Sequence, residues 1–176
     1  AIAVILLDLF IQRKGWLVTV SITGIVVSAG FTLAMWGNNP QAIFNNMLAV
    51  DNFAMFFKLL FLGIAALVML ASVDYVAKFA HFQGEYYALV LLSALGMMLM
   101  ATTAELISLY IALELVSISL YALVGFLKNT KSTEASLKYL LLGAVASAIL
   151  LFGMALIFGF TGKTQLGEIA HVIQAM

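Results

Sequence analysis

The sequence predicts an all-α membrane protein, a polytopic bundle of transmembrane helices. Three observations predict the helical bundle. The 176 residues are 65% hydrophobic and only 9% charged, with a mean hydropathy of +1.15. A soluble domain carries about 25% charged residues to keep its surface wet. The apolar residues gather in runs of about 20, the length a helix needs to cross a bilayer. Short polar clusters separate those runs and supply turn chemistry.

The elements follow in order. Residues 1–11 are apolar but short, and read as the tail of a helix that starts upstream. No basic stretch precedes them and no small-residue cleavage site follows, so they do not read as a signal peptide. Spanning helices are expected at 16–36, 53–73, 86–104, 106–127 and 137–160, all in one transmembrane domain covering 1–176. Gln12-Arg13-Lys14-Gly15 divides the first two elements. Gly37-Asn38-Asn39-Pro40 ends the second, because Pro lacks an N–H and Gly and Asn favour turns. Alternation around residues 42–50 fits either a short hairpin or an interfacial helix. The apolar run 86–127 is 42 residues long and has to fold back, with Thr102-Thr103-Ala104-Glu105 as its polar turn. Ser132-Thr133, followed by Glu134 and Ser136, resembles a helix N-cap with an acidic first turn. Thr161-Gly162-Lys163-Thr164 closes the last span. Leu166, Ile169, Ile173 and Met176 share one face, which suits a short amphipathic helix on the membrane surface.

Loops alternate sides along such a chain. One side receives Arg13, Lys14, Lys78, Lys128 and Lys131, and the other only Lys163. Basic loops stay inside, so the first side is expected to face the cytoplasm. The loop 37–51 is then outside.

The absence of Cys excludes disulfides and Cys-ligated zinc or iron–sulfur clusters. His81 and His171 belong to no metal-binding motif, and no metal or cofactor is expected in this chain. Zero net charge without a basic cluster argues against nucleic acid. No phosphate loop, nucleophile elbow or zinc-protease motif occurs. Nine Met and thirteen Phe are most simply packing residues, and Met97-Met98-Leu99-Met100 reads as helix or lipid contact. Gly143/Ser147 and Ala144/Ala148 have the four-residue spacing of small residues that lets helices approach closely.

Three charged residues fall inside the expected spans, namely Lys58, Glu114 and Lys138. A charge at mid-membrane costs about 2.5–3.5 kcal/mol on insertion scales, so each asks for a reason. Glu114 lies roughly 12 Å into its helix at 1.5 Å per residue. That is too deep for a short side chain to reach water at either surface. Tyr110, Glu114, Ser117 and Tyr121 fall on one face, and each carries a polar group. Such a stripe suits a proton path, the carboxyl holding the proton and hydroxyls and water passing it on. The alternative is a protonated Glu that merely hydrogen-bonds a neighbouring helix. Lys138 is about one and a half turns into its span, where its long stem could snorkel to the interface. Its axial offset from Glu114 is roughly 12 Å, too great for easy direct pairing. Lys58 is close to the outer surface and reads as a snorkelling residue. Glu105 in the outer turn and Asp8 near an inner helix end call for no special role. Asp51, Asp74, Glu85, Glu134 and Glu168 sit at loops or helix starts, where carboxylates are favourable.

The stretch Leu113-Glu114-Leu115-Val116-Ser117-Ile118-Ser119-Leu120-Tyr121-Ala122-Leu123-Val124-Gly125-Phe126 resembles the fifth helix of the subunit N family of bacterial NADH–quinone oxidoreductase, the counterpart of subunit 2 of mitochondrial complex I. Glu134-Ala135-Ser136-Leu137-Lys138-Tyr139, with Leu142-Gly143-Ala144 and Ser147-Ala148, is similar to the helix that follows in that family. Asp51-Asn52-Phe53-Ala54 and Phe56-Phe57-Lys58 resemble its third-helix start. The resemblance runs in order along the chain. It implies that the bundle is the N-terminal part of an antiporter-like membrane subunit of about fourteen helices in inverted repeats, with a proton path near mid-membrane. By the same resemblance Glu114 falls on the fifth-helix Glu and Lys138 on the sixth-helix Lys. The family's further lysines lie in later helices, which leaves half a pathway here.

The resemblance implies proton translocation coupled to quinone reduction in partner subunits, through a path comprising Glu114, Lys138, Tyr110, Ser117 and Tyr121. NADH, FMN, iron–sulfur clusters and quinone belong to those partners. Expected partners are the other membrane subunits of the complex and the lipid bilayer, in a bacterial inner membrane. A cation/proton antiporter subunit of the Mrp type and an inert membrane scaffold are the competing readings.

Overall fold

A computed structural model describes residues 1–10, 15–37, 40–77 and 82–175. The described chain forms α1 (Ile2–Phe10), α2 (Gly15–Ala34), β1 (Gln41–Ile43), β2 (Leu48–Val50), α3 (Asn52–Ala71), α4 (Val73–Val76), α5 (Gln83–Thr102), α6 (Leu106–Val124), α7 (Thr130–Thr161) and α8 (Leu166–Gln174). Five of these helices, α2, α3, α5, α6 and α7, are long and apolar enough to cross a membrane. Arg13, Lys14, Asn38, Asn39, Lys78, His81 and Met176, all used in the sequence reading, lie outside the described residues.

Local chemistry sets the helix ends. Asp51 caps α3 by accepting from the Ala54 amide at 2.8 Å. The expected cap at Ser132-Thr133 is displaced. Asn129 caps α7 instead, in a capping box with Ser132, so the helix begins at Thr130 and not near 137. Its first two turns are hydrophilic yet helical, because hydrogen bonding rather than apolarity decides where a capped helix starts. Gly162 ends α7 in the left-handed conformation at φ 64°, its amide bonded to the Phe158 carbonyl at 2.7 Å.

Residues 42–50 resolve as a hairpin, with Gln41 opposite Val50 and Ile43 opposite Leu48. Phe44, Asn45 and Asn46 turn it in left-handed backbone. Asn tolerates that conformation, whereas Phe44 adopts it against its own sterics.

Val4, Leu17, Ile25, Leu62, Ala65, Met69, Val76, Tyr87, Val90 and Ala94 form the main core, which therefore lies among α1 to α5. α6 lies along α5. At their crossing a Cβ on Gly96 would come within 2.7 Å of Val116 Cγ2, so glycine permits this approach. At the N-terminus of α5, a Cβ on Gly84 would come within 2.5 Å of the Asp8 side chain. The Asp8 carboxylate thus sits beside the positive end of the α5 dipole, which favours it there. α7 buries only Met154. Leu141, Leu142, Val145, Ile149, Phe152 and Phe160 are mostly exposed on it. Exposing a large apolar side chain to water costs about 1.5–3 kcal/mol, so this surface suits lipid or further helices.

The ends of the spans separate into two groups. On one side, β2 bridges to the α5–α6 turn (Leu48 to Thr103), and that turn bridges to the α7–α8 link (Glu105 to Gln165). We call this the hairpin side. On the other side, Lys128 Nζ stacks 4.7 Å from the Phe82 ring centroid, and Phe126 meets Tyr86 edge-on at 5.5 Å. The surface helix α8 differs from its expected face. Ile169 is buried against Leu106 and Met154, but Leu166 and Ile173 stay exposed.

Candidate functional site

The polar stripe of α6 faces α7. The Ser147 hydroxyl on α7 donates to Glu114 Oε1 at 2.5 Å, and Tyr110 lies one turn back from Glu114 on the same face of α6. Glu114 itself is half-buried. One turn along α6, Ser117 is half-buried on the same side. Tyr121 comes next. Its ring lies over Gly143, where any Cβ would collide with the phenol. It also meets Tyr139 edge-on at 4.8 Å, and its carbonyl accepts from Ser136 Oγ at 2.9 Å. Ser136, Tyr139, Gly143 and Ser147 thus form the α7 stripe that answers the α6 stripe.

Of the five residues expected on the path, four share this interface. Lys138 does not. Its ammonium pairs with Glu134 Oε1 at 2.5 Å, one helical turn back, with both side chains exposed. Nine residues separate Lys138 from Ser147, which at 100° per residue puts them about 180° apart around α7. They are also about 13.5 Å apart along its axis.

Sequence reasoning missed Ser147, Tyr139 and Ser136 as site residues. Ser147 registered only as a small residue. The available signal was its register with Gly143, four residues back. A stripe with a hydroxyl and a gap for an aromatic ring complements a stripe with a carboxyl and a tyrosine.

Glu105 also departs from expectation. It is 6% exposed, buried where the α5–α6 turn meets the α7–α8 link. Ser108 Oγ donates to its Oε2 and Thr164 Oγ1 to its Oε1, each at 2.9 Å. Lys58 is half-buried and lines a cleft of about 520 Å³ among α2, α3, α5 and the hairpin. Among the described residues no group of three His, Cys, Asp or Glu could hold a metal ion.

These features define an antiporter-like, multi-pass membrane protein, and comparison with known proteins agrees. The family model described as "NADH:quinone oxidoreductase/Mrp antiporter, TM" matches residues 103–176, the part that carries α6, α7 and α8. NADH-quinone oxidoreductase subunit N of Dehalococcoides mccartyi is 51% identical over 100% of this chain, which spans 36% of that relative. A chain of respiratory complex I from Thermus thermophilus superposes with a TM-score of 0.80 at 35% identity, over 94% of this chain and 36% of that one. A chain of the Mrp complex from Dietzia sp. gives 0.67 at 25% identity, over 85% and 18%. The chain belongs to the NADH:quinone oxidoreductase/Mrp antiporter family of membrane proteins. Within that family its likeness is to subunit N of NADH-quinone oxidoreductase, and it spans about a third of the length of the relatives it matches.

Proposed function

We propose that this chain forms part of a proton-translocating membrane subunit of an NADH–quinone oxidoreductase, with Glu114 as its protonatable group. The observation that carries the reading is the carboxyl of Glu114, deep in the span of α6, accepting a hydrogen bond from Ser147 on the neighbouring apolar helix. A carboxylate is the natural proton carrier at such depth, and the hydroxyls beside it both donate and accept. When the carboxyl is ionised, Ser147 donates to it. When it takes up a proton, the hydroxyl can rotate to accept, so the hydrogen bond survives both states. Tyr110, Ser117 and Tyr121 extend hydroxyls along α6, and water between them would relay protons.

Lys138 belongs to the same reading through the family resemblance. On the far face of α7, it would connect with Glu114 through water or through helices beyond this chain. The side that carries Lys128 then faces the cytoplasm of a bacterium. NADH oxidation and quinone reduction fall to partner subunits with their own FMN and iron–sulfur clusters.

The test is Glu114→Gln in the whole complex, reconstituted in vesicles. Loss of a general acid–base group costs roughly 10²-fold or more. Proton translocation per electron is therefore expected to collapse, while the complex still assembles. Unchanged stoichiometry would refute the assignment. An Mrp-type antiporter role is the second reading, favoured by the shared fold, but the 51% identity to subunit N outweighs the 25% likeness to the Mrp chain.

A further inference from the structure

We infer that Glu105 is a second proton-holding carboxyl, joined to Glu114 by the groove between α6 and α7 on the hairpin side. The inference rests on reading Glu114 as the protonatable group and adds the route by which its proton reaches one end of the helices.

The first observation is what Glu105 does not do. It occupies the N-cap position of α6, yet its side chain makes no capping hydrogen bond. Glu is also absent from the residues that cap well. A carboxylate kept there for helix stability would accept from the free amides of the first turn. Both oxygens instead accept hydroxyls, from Ser108 and from Thr164, and the side chain is 6% exposed. Backbone bonds already pin this junction, Leu106 N to Thr164 O at 3.0 Å and Leu166 N to Ala104 O at 2.9 Å. The carboxylate is thus redundant as a clamp, although burying a charge is costly.

The second observation is the groove. It has a volume of about 240 Å³. Tyr110, one turn from Glu114 on the same face of α6, lines it together with Thr164, the hydrogen-bond partner of Glu105. Leu151, Met154, Ala155 and Phe158 form its apolar wall. At about 30 Å³ per molecule it has room for roughly eight waters. The nine residues from Glu105 to Glu114 span about 13.5 Å, which a chain of that many waters covers.

Water enters when charge develops at either end, so the limb conducts only in part of the cycle. The exchange balances. The Glu114 acid loses a proton to the water chain, each hydroxyl or water passes one on and receives one, and the Glu105 carboxylate gains it. Nothing is oxidised or reduced.

The whole complex in vesicles, moved from H2O to D2O, tests this. The carbonyl stretch of protonated Glu114, isolated by subtracting the Glu114→Gln spectrum, reports its proton exchange. Ala155→Phe, which fills the groove without touching either carboxyl, is expected to slow the exchange at least tenfold. Glu105→Gln is expected to slow it comparably, and Glu105→Asp to restore it in part. Wild-type exchange rates in both Ala155→Phe and Glu105→Gln would overturn the limb while leaving Glu114 in its role. A Glu114 band that never changes during turnover would instead overturn the reading on which the limb rests.

Discussion

In the proposed role Glu114 acts through its neighbours, so they give the most specific predictions. Ser147→Ala removes the hydroxyl that donates to the carboxyl. A hydrogen bond to a charged group contributes about 1.5–3 kcal/mol. Proton translocation should fall roughly tenfold with assembly retained, and Ser147→Thr, which keeps a hydroxyl, should restore most of it. Vesicle acidification assays on the purified complex would measure both. Gly143 acts by absence. A methyl there collides with Tyr121, so Gly143→Ala should destabilise the α6–α7 pair by about 1–3 kcal/mol, the usual cost of overpacking. Thermal unfolding in detergent should show the loss. Combining it with Tyr121→Ala should recover part of the loss, because the two residues occupy the same space.

At the scale of the elements, the capping box of α7 is the feature that local sequence almost revealed. Asn129→Ala should shorten α7 from its N-terminus and cost about 1 kcal/mol, visible as faster amide exchange over residues 130–134. The turn residues around 37–40, 102–105 and 161–164 marked the helix ends because Gly, Asn and Thr compete with helical hydrogen bonding on short range. The start of α7 was less legible. Both Asn129 and Ser132-Thr133 can cap, and the competition is settled by reciprocal hydrogen bonds that pattern does not encode. The hairpin at 41–50 was legible only as one of two options, since three-residue strands are too short for periodicity to decide. Its left-handed Phe44 is held by the surrounding bonds, among them the Ala104 amide to the Met47 carbonyl at 2.9 Å.

For the molecule as a whole, hydropathy made the membrane class and the five spans legible, because lipid imposes the strongest single constraint on composition. The site was half legible. One helix shows its own stripe by period, so Tyr110, Glu114, Ser117 and Tyr121 could be read together. What faces that stripe depends on how α7 is rotated about its axis, which no local pattern sets. Ser147 was therefore read only as a small residue four positions from Gly143, and Lys138, placed on the path by family resemblance, sits on the opposite face of α7. Glu105 was misjudged for a similar reason, since a turn residue is exposed or buried according to which other turns pack on it.

The absence of Cys gives a direct check of topology. Single cysteines at Lys128 and Lys163 should react with a membrane-impermeant maleimide from opposite sides of sealed vesicles, with Lys128 on the cytoplasmic side. Labelling of both from one side would break the alternation of spans.

The account depends on a proton that comes and goes at one half-buried carboxyl within the span of α6. Infrared difference spectroscopy of the whole complex during NADH-driven quinone reduction observes this directly. A carbonyl band that rises and falls with turnover, present in the wild type and missing in Glu114→Gln, is the predicted result. A difference spectrum identical in the two proteins would contradict it.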